Sequence, residues 1–499
     1  MSDARKKILI IGAGPGGLTA GMILASRGFD VHIFEKEKIV GGRNAEIVQD
    51  GFIFDVGPTF LMLKDMLDDV FARSGESSED YMRFTRLNHM YQLAYEDFNF
   101  DVYDDAVRMK AEIKKHFPGE EAGFDRFMAR ESVRFEKIKP FLARNYTSVR
   151  DFLDLNVIKT LPQIPLGKSL FEYLGNYFKA EKLRLAFTFQ AKYIGMSPFA
   201  CPAFFVILSY IEHAFGIYHV EGGLSKISKA MAAVVEKKGG TIHLNSPVSQ
   251  VLLEGKKAVG VTLKNGEKVY ADEVVLNADF AHAATHLFPE GVLKKYSPEK
   301  IAKKGYSCST FMIYLGIKGE YPDMKHHTIM FAKEYRKNVE RIFKTLEVSE
   351  DFSFYVRNAS VTDKTVAPEG MTNIYILVPV PNNASNIDWN KEKETFKNIV
   401  LNEVEKRTPI KNIREHIVTE KIITPLDWEA SGVYRGAVFS MAHSLDQMLM
   451  FRPHNKFEEI DQMYLVGGGT HPGSGLPTIY QSGMIAADLI SEKYDQKKD

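Results

Sequence analysis

The chain of 499 residues is poor in cysteine, with only Cys201 and Cys308. Two thiols cannot build a disulfide framework or a cysteine-rich metal cluster, and they suit a reducing compartment. It also lacks any excess of one charge, because 64 Lys and Arg balance 64 Asp and Glu. No global positive field exists to attract nucleic acid. Long uncharged apolar runs are missing. The nearest, Ala200 to Tyr218, contains Glu212 and His213 and reads as a buried or half-buried helix rather than a membrane span. The apolar run that ends at Gly12 is too short for the core of a secretion signal, and it is needed as a first strand. There is no internal repeat and no low-complexity linker. There is also no Ser–His–Asp constellation, no Cys–His nucleophile pair and no metal-ligand spacing, so no metal is expected.

What the chain does have is size and aromatic side chains. Its length implies more than one domain. With 34 Phe and 22 Tyr against 2 Trp, it has much apolar surface to place in a core or around an apolar ligand.

The most informative stretch begins at residue 8. Ile8-Leu9-Ile10-Ile11 reads as a strand that feeds into Gly12-Ala13-Gly14-Pro15-Gly16-Gly17, followed by a helical segment and a second strand, Asp30-Val31-His32-Ile33-Phe34, ending at Glu35. This is a βαβ dinucleotide fingerprint with its acid in place. Gly12 permits the tight turn, Gly14 lets the backbone approach a pyrophosphate, and Gly17 lets the helix lie on the strand. The helix N-terminus offers N–H groups to phosphate. Glu35, with Lys36 beside it, stands where an adenosine ribose would bind.

Gly41-Gly42-Arg43 and Asp55-Val56-Gly57-Pro58-Thr59 follow. Arg43 is a fixed cation for a pyrophosphate. Near the other end, Tyr464-Leu465-Val466 runs into Gly467-Gly468-Gly469-Thr470-His471-Pro472-Gly473-Ser474-Gly475-Leu476-Pro477. Here a strand enters a glycine-rich turn, and Pro477 marks the start of a helix whose N-terminus can face an anionic ring edge.

These motifs together resemble the carotenoid desaturase family within the FAD-containing amine oxidase superfamily. Tyr193-Ile194-Gly195, Glu221-Gly222-Gly223, Tyr306-Ser307-Cys308-Ser309, Ala367-Pro368-Glu369-Gly370 and Phe451-Arg452-Pro453 are similar to its bacterial C30 branch, which acts on dehydrosqualene (4,4'-diapophytoene). Gly468 and Gln481-Ser482-Gly483 depart from the desaturase pattern, and a glycine at 468 also occurs in diapolycopene oxygenases.

The resemblance implies an α/β fold: a Rossmann-like FAD domain with an inserted mixed α+β substrate domain, as in amine oxidases and Rab GDP-dissociation inhibitors. The FAD domain is expected to be discontinuous, over residues 1–85, 225–296 and 456–499, and the substrate domain to span 86–224 and 297–455. FAD contacts are expected from Gly12, Ala13, Gly14, Gly16, Gly17, Glu35, Lys36, Gly42, Arg43, Gly57, Pro58, Thr59, Gly469, Thr470, Gly475, Leu476 and Pro477, with Val248 at the adenine. The implied reaction is dehydrogenation of a linear C30 or C40 isoprenoid, with hydride passing to flavin N5 and electrons then to oxygen or a quinone. A terminal-methyl oxygenase and a carotenoid isomerase remain open on the same scaffold. A non-catalytic prenyl-lipid carrier and an amine oxidase are remoter readings.

A hydrocarbon substrate has no polar handle, so its site must be apolar. Phe187, Phe189, Tyr193, Ile194, Phe199, Phe204, Phe205, Ile207, Leu208, Ile211 and Phe215 form a candidate tunnel wall, alongside an ordinary core reading. Lys179, Lys182, Arg184 and Lys192 are candidates for an anionic membrane surface. That gives a cytoplasmic protein lying peripherally on the inner face of the membrane. No catalytic base is identified; His471, Lys192 and Tyr193 are the candidates, with Glu212 and His213 behind them.

Element by element, residues 80–218 read as helical and irregular, broken at Pro140, Pro162, Pro165, Pro198 and Pro202. Strands are expected at 241–245, 248–253, 258–263, 274–276, 309–315, 374–380 and 463–466, with a two-residue hairpin turn at Asn265-Gly266 and a helix over 478–491. The last six residues, from Tyr494, read as a solvated tail.

Overall fold

A computed structural model describes residues 5–142, 165 and 167–496. Expectations for Met1–Ala4, Pro162 and the last three residues lie outside the described residues.

Five parallel strands form the first sheet, in the order Met463–Leu465, Glu273–Leu276, Lys7–Ile11, Asp30–Phe34, Thr241–His243. Strands buried on both faces should be apolar throughout, and the first reads Lys-Ile-Leu-Ile-Ile with four buried residues in succession. The helix Pro15–Ser26 follows it and is buried on nearly every side. Such a helix needs neighbours all round. It has them in the helices Ser225–Lys237 and Leu476–Asp495. Close approach requires small residues: a Cβ on Gly483 would sit 2.6 Å from the Cβ of Thr19 and 2.7 Å from the Gly16 carbonyl.

The second sheet has seven strands, in the order Ile417–Ile423, Ser309–Lys318, Met371–Val380, Phe354–Asn358, His327–Met330, Tyr91–Ala94, Asn99–Val102. All its pairings are antiparallel except that of His327–Met330 with Tyr91–Ala94. Its strands come from residues 91–102 and 309–423, and those of the first sheet from 7–34, 241–276 and 463–465, so the chain alternates between the two.

Local corrections follow from hydrogen bonding. The 80–218 segment is not only helical and irregular; it contributes two strands to the edge of the large sheet and pairs Phe84–Arg86 with Tyr218–Val220. The Glu121–Leu142 helix continues through Pro140 and ends two residues after it. The Asn265-Gly266 hairpin has a three-residue loop: Leu263 N–H donates to the Glu267 carbonyl at 2.8 Å, and Gly266, at φ +88°, donates to the Leu263 carbonyl at 2.9 Å. The final helix runs through Asp495, and the Tyr494 hydroxyl donates to Glu273 Oε1 at 2.6 Å, so this residue is anchored rather than part of a solvated tail.

A buried polar cluster ties the seven-stranded sheet to the Phe52–Asp55 and Tyr218–Val220 strands. Arg357 Nη1 donates to Asp55 Oδ2 at 2.7 Å, its Nε to His326 Nε2 at 3.2 Å, and its Nη2 lies 3.1 Å from His219 Nδ1. His219 Nε2 in turn lies 2.8 Å from Asp363 Oδ2. Arg357→Met strands the buried Asp55 carboxylate, which predicts a loss of about 3–5 kcal/mol of folding stability in denaturant unfolding. A loss of only ~0–1 kcal/mol, as for an exposed pair, would contradict this.

Candidate active site

The glycine loop is held from the side by Asn277, the residue after the Glu273–Leu276 strand. Its Nδ2 donates to the Gly12 carbonyl at 2.9 Å and to the Gly14 carbonyl at 3.2 Å. Gly12 has φ +95°, and a Cβ there would meet the Asn277 carbonyl at 2.6 Å. Gly12, Gly14 and Asn277 line the main cavity; Gly16 and Gly17 pack beneath it, a Cβ on Gly17 lying 2.4 Å from the Gly12 carbonyl. Sequence reasoning missed Asn277, whose signal was its place just after a strand of the parallel sheet.

Glu35 lines the cavity with its carboxylate partly engaged. Oε2 accepts from the Ala13 N–H at 2.7 Å and Oε1 from the Glu37 N–H at 3.0 Å. A carboxylate offers about four lone-pair sites, so capacity remains for hydroxyl donors. Ala13 itself is buried and contributes through that amide. Lys36 lines the cavity and donates to the Ser431 carbonyl at 2.5 Å. Val248 and Pro247 also line it, on the turn where Ser246 N–H donates to the Glu35 carbonyl at 2.8 Å.

Gly41 N–H donates to the Ala13 carbonyl at 2.8 Å, which brings Gly42 and Arg43 to the same wall. Arg43 Nη1 donates to the Val438 carbonyl at 2.6 Å. Burial lowers the guanidinium pKa and the charge of Asp279 opposes the shift; the group remains a cation. Gly57, Pro58 and Thr59 line the cavity on a turn hung from tyrosines of the large sheet. Tyr375 donates to the Gly57 carbonyl at 2.9 Å and Tyr314 to the Val56 carbonyl at 2.7 Å; the Thr59 hydroxyl lies 2.9 Å from that of Tyr355.

The C-terminal loop divides in two. Gly467, Gly468, Gly473, Ser474, Gly475, Leu476 and Pro477 line the cavity, and Leu476 opens the final helix. Gly469, Thr470 and His471 do not reach it. A Cβ on Gly469 would meet Phe280 and Ser440, Thr470 Oγ1 donates back to the Gly467 carbonyl at 2.9 Å, and His471 is fully buried with its N–H on the Pro453 carbonyl at 3.0 Å. Arg452 braces this stretch: its buried guanidinium donates to the carbonyls of Gly468 at 2.7 Å and Thr470 at 3.0 Å. Burial pushes the Arg452 pKa down to about 10. His471 is therefore corrected from a candidate base to a core residue.

The cavity encloses about 1260 Å³ and continues from this polar end into an apolar arm. That exceeds the roughly 300–1,000 Å³ of an ordinary small-molecule pocket. Nine of the eleven expected tunnel residues line it: Phe189, Tyr193, Ile194, Phe204, Phe205, Ile207, Leu208, Ile211 and Phe215. Phe187 and Phe199 belong to the core instead, stacked on His213 and edge-on to Phe171 respectively. Tyr193 meets Phe60 and Phe189 edge-on, with centroids 5.4 and 5.3 Å apart.

Lys192 lines the cavity, which removes it from any membrane-facing set. It lies over the ring of Tyr335 at 5.0 Å, and burial pulls its pKa down to about 8. Cys308 lines the cavity near it, its thiol pushed up to about 12 by burial. Glu212 is fully buried just behind the wall, and burial raises its carboxyl to about 7. His213, held neutral by burial at about 4, contacts the Tyr103 carbonyl and not the cavity. No group of metal ligands occurs among the described residues.

The model of the flavin-containing amine oxidoreductases matches residues 15–491. The chain belongs to that family. A 4,4'-diapophytoene desaturase (4,4'-diapolycopene-forming) of Methylomonas sp is 51% identical over 490 residues, covering 98% of this chain and 96% of the relative. A zeta-carotene-forming phytoene desaturase of Myxococcus xanthus is 33% identical, covering 99% of this chain and 94% of its own. The solved structure of a putrescine oxidase bound to putrescine has a TM-score of 0.65 at 14% identity, covering 98% of this chain and 99% of that one, a likeness of fold. The protein is an FAD oxidoreductase of the carotenoid desaturase type.

The residues fit that cofactor: a glycine cradle closed to any Cβ by Asn277, an acid with spare lone pairs, a cation, and two helix N-termini on one cavity. Glu35→Ala strands two backbone amides and removes the acceptor. FAD content of the purified protein is expected to fall at least several-fold, read from flavin absorbance against protein; full occupancy would remove Glu35 from the site.

Proposed function

We propose that the protein desaturates a linear isoprenoid, 4,4'-diapophytoene, to a conjugated carotenoid. The observation that carries this reading is the continuity of the cavity, from Glu35 and Arg43 to an arm walled by Phe189, Tyr193, Phe205, Leu208 and Phe215. Between residues 189 and 215 the lining holds one cation, Lys192, and no carboxylate. A cationic amine would find no counter-ion on that wall, which favours a hydrocarbon over an amine. The choice of 4,4'-diapophytoene over phytoene follows the 51% relative rather than the 33% one. A pocket separates chain lengths weakly, by about 1–3 kcal/mol per methylene.

In this mechanism Glu35, Lys36, Arg43, Gly57, Thr59, Val248 and the N-termini of the helices at Pro15 and Leu476 would hold the cofactor. When bound, FAD supplies a two-electron acceptor for a hydride from an allylic carbon. The protein aligns the chain and excludes water, so that charge developing on the substrate meets mainly aromatic faces, with Lys192 the one cation between residues 189 and 215 of the lining. Tyr375 and Tyr314 fix the Gly57 turn to the large sheet. Oxygen or a quinone would be the final electron acceptor.

Expression in a host that accumulates colourless 4,4'-diapophytoene is expected to yield a yellow to orange extract, lighter by pairs of hydrogens in mass analysis. A gain of oxygen or an unchanged mass would favour the oxygenase or isomerase instead.

The substrate resides in lipid, and no helix among the described residues is long and apolar enough to cross a membrane. We therefore place the protein peripherally on the inner face of the membrane. Of the four cations singled out in the sequence, Lys192 lines the cavity and Lys182 pairs with Asp97 at 2.6 Å, while Lys179 is exposed. Replacing Lys179 and Lys182 together by Glu is expected to reduce co-sedimentation with anionic liposomes. Unchanged sedimentation would remove this face from the membrane contact.

A further inference from the structure

Each desaturation removes two hydrogens. One leaves as hydride to the bound oxidant; the other must leave the neighbouring carbon as a proton, inside an arm lined with hydrocarbon. We propose that Tyr193 and the Glu212 carboxylate behind it take that proton. This inference rests on the desaturase reading and extends it to the residues that complete the step.

The geometry is that of a carboxyl held at the back of the wall. Glu212, on the Val206–Phe215 helix, is wholly buried. Its Oε2 accepts from the Tyr91 hydroxyl at 2.8 Å and from Gln190 Nε2 at 2.7 Å. Its Oε1 accepts no hydrogen bond among the described residues. Tyr91 and Tyr193 both line the cavity, and the Tyr193 hydroxyl is close enough to the carboxyl to favour its ionised form. A buried carboxyl with one oxygen fully used and the other open is costly unless the open oxygen has work to do.

Among the described residues it forms no ion pair. The groups that act on the carboxyl are Tyr91 from the Tyr91–Ala94 strand and Gln190 and Tyr193 from the Phe189–Ile194 turn. On its own helix, His213 turns to the Tyr103 carbonyl at 2.9 Å. On the neighbouring Glu121–Leu142 helix, Glu131 and Arg134 bond to each other and to Tyr173 and Tyr177. Burial therefore sets the pKa near 7, where a general base works best. Lys192 is the competing acceptor, with a pKa of about 8. Its ammonium form would repel positive charge growing on the substrate, whereas a carboxylate and aromatic faces attract it.

The balance is simple. The C–H bond breaks and its electrons form the new C=C bond. The Tyr193 hydroxyl, not hydrogen-bonded to Glu212 in the resting structure, turns onto the open Oε1; the substrate proton goes to the Tyr193 oxygen as the Tyr193 proton passes to Oε1, so tyrosine ends unchanged and the carboxylate becomes a carboxylic acid. Tyr193 touches the substrate; Glu212 acts through it.

The test uses the holoenzyme and Glu212→Gln, which keeps shape and hydrogen-bond acceptance. Polyene formation by the wild type is expected to rise with pH through about 7, because the base must be ionised. In Glu212→Gln it is expected to fall by roughly 10²-fold or more and to lose that rise. Deuterium on the carbon that gives up the proton is expected to slow the variant more than the wild type. A second readout needs no turnover: the infrared band of a protonated carboxyl in the resting enzyme should vanish as pH rises through about 7 and be absent in Glu212→Gln. Tyr193→Phe should slow polyene formation yet keep that band. Wild-type rate and pH profile in Glu212→Gln, or loss of the pH dependence in Lys192→Met instead, would overturn the proposal. A wild type that forms no polyene at all would bring down the desaturase reading and this inference together.

Discussion

The site depends on one side-chain amide. Asn277 donates to the carbonyls of Gly12 and Gly14, and its Oδ1 stands where Cβ atoms on Gly16 and Gly467 would fall, at 2.9 and 3.2 Å. Three distant chain segments, the opening glycine loop, the end of the Glu273–Leu276 strand and the C-terminal glycine turn, therefore meet on a single residue. Glycine is required around it because the amide already fills the space a side chain would need. The two helices that begin at Pro15 and Leu476 take their positions from this junction, and their N-termini open on one cavity. Two such termini give a cofactor with anionic parts two places to rest without a dedicated cation at each.

Two arginines divide the remaining electrostatic work. Arg43 lines the cavity and spends one hydrogen bond on the Val438 carbonyl, which leaves its other donors for a ligand. Arg452 is fully buried and spends its donors on backbone carbonyls of the C-terminal loop. One is poised for a ligand and the other shapes the loop, although both sit in family motifs. Polarity then falls along the cavity. Backbone donors and charged groups give way to the tyrosines that suspend the Gly57 turn, and these to the aromatic wall. A hydrocarbon and a charged dinucleotide can share one cavity only if it changes character along its length.

The parallel sheet was legible in the sequence because its central strands are short apolar runs beside a glycine or an acid, although its edge strand Thr241–His243 is not apolar. The Tyr91–Ala94 and Asn99–Val102 strands were not legible. They are short, lie at a sheet edge and are completed by His327–Met330, far along the chain, so nothing local marks them. Within the site, glycines with a backbone duty were readable, and Gly12 and Gly17 do what their spacing suggested. Asn277 and Arg452 act through three-dimensional neighbours. Asn277 carries no periodic signal, and the part played by Arg452 depends on carbonyls brought from other segments; Glu212 was a candidate base in the sequence, but its burial behind the cavity wall was not readable there. His471 shows the converse: a histidine inside a cofactor motif that the fold turns into the core.

The central claim is that flavin and hydrocarbon meet in one cavity. Anaerobic mixing of the purified holoenzyme with detergent-solubilised 4,4'-diapophytoene tests it directly, with the flavin and polyene absorbance followed together. Bleaching of the oxidised flavin band as polyene absorbance rises, with no other protein present, is the expected result. A flavin that stays oxidised while the hydrocarbon is bound would contradict it.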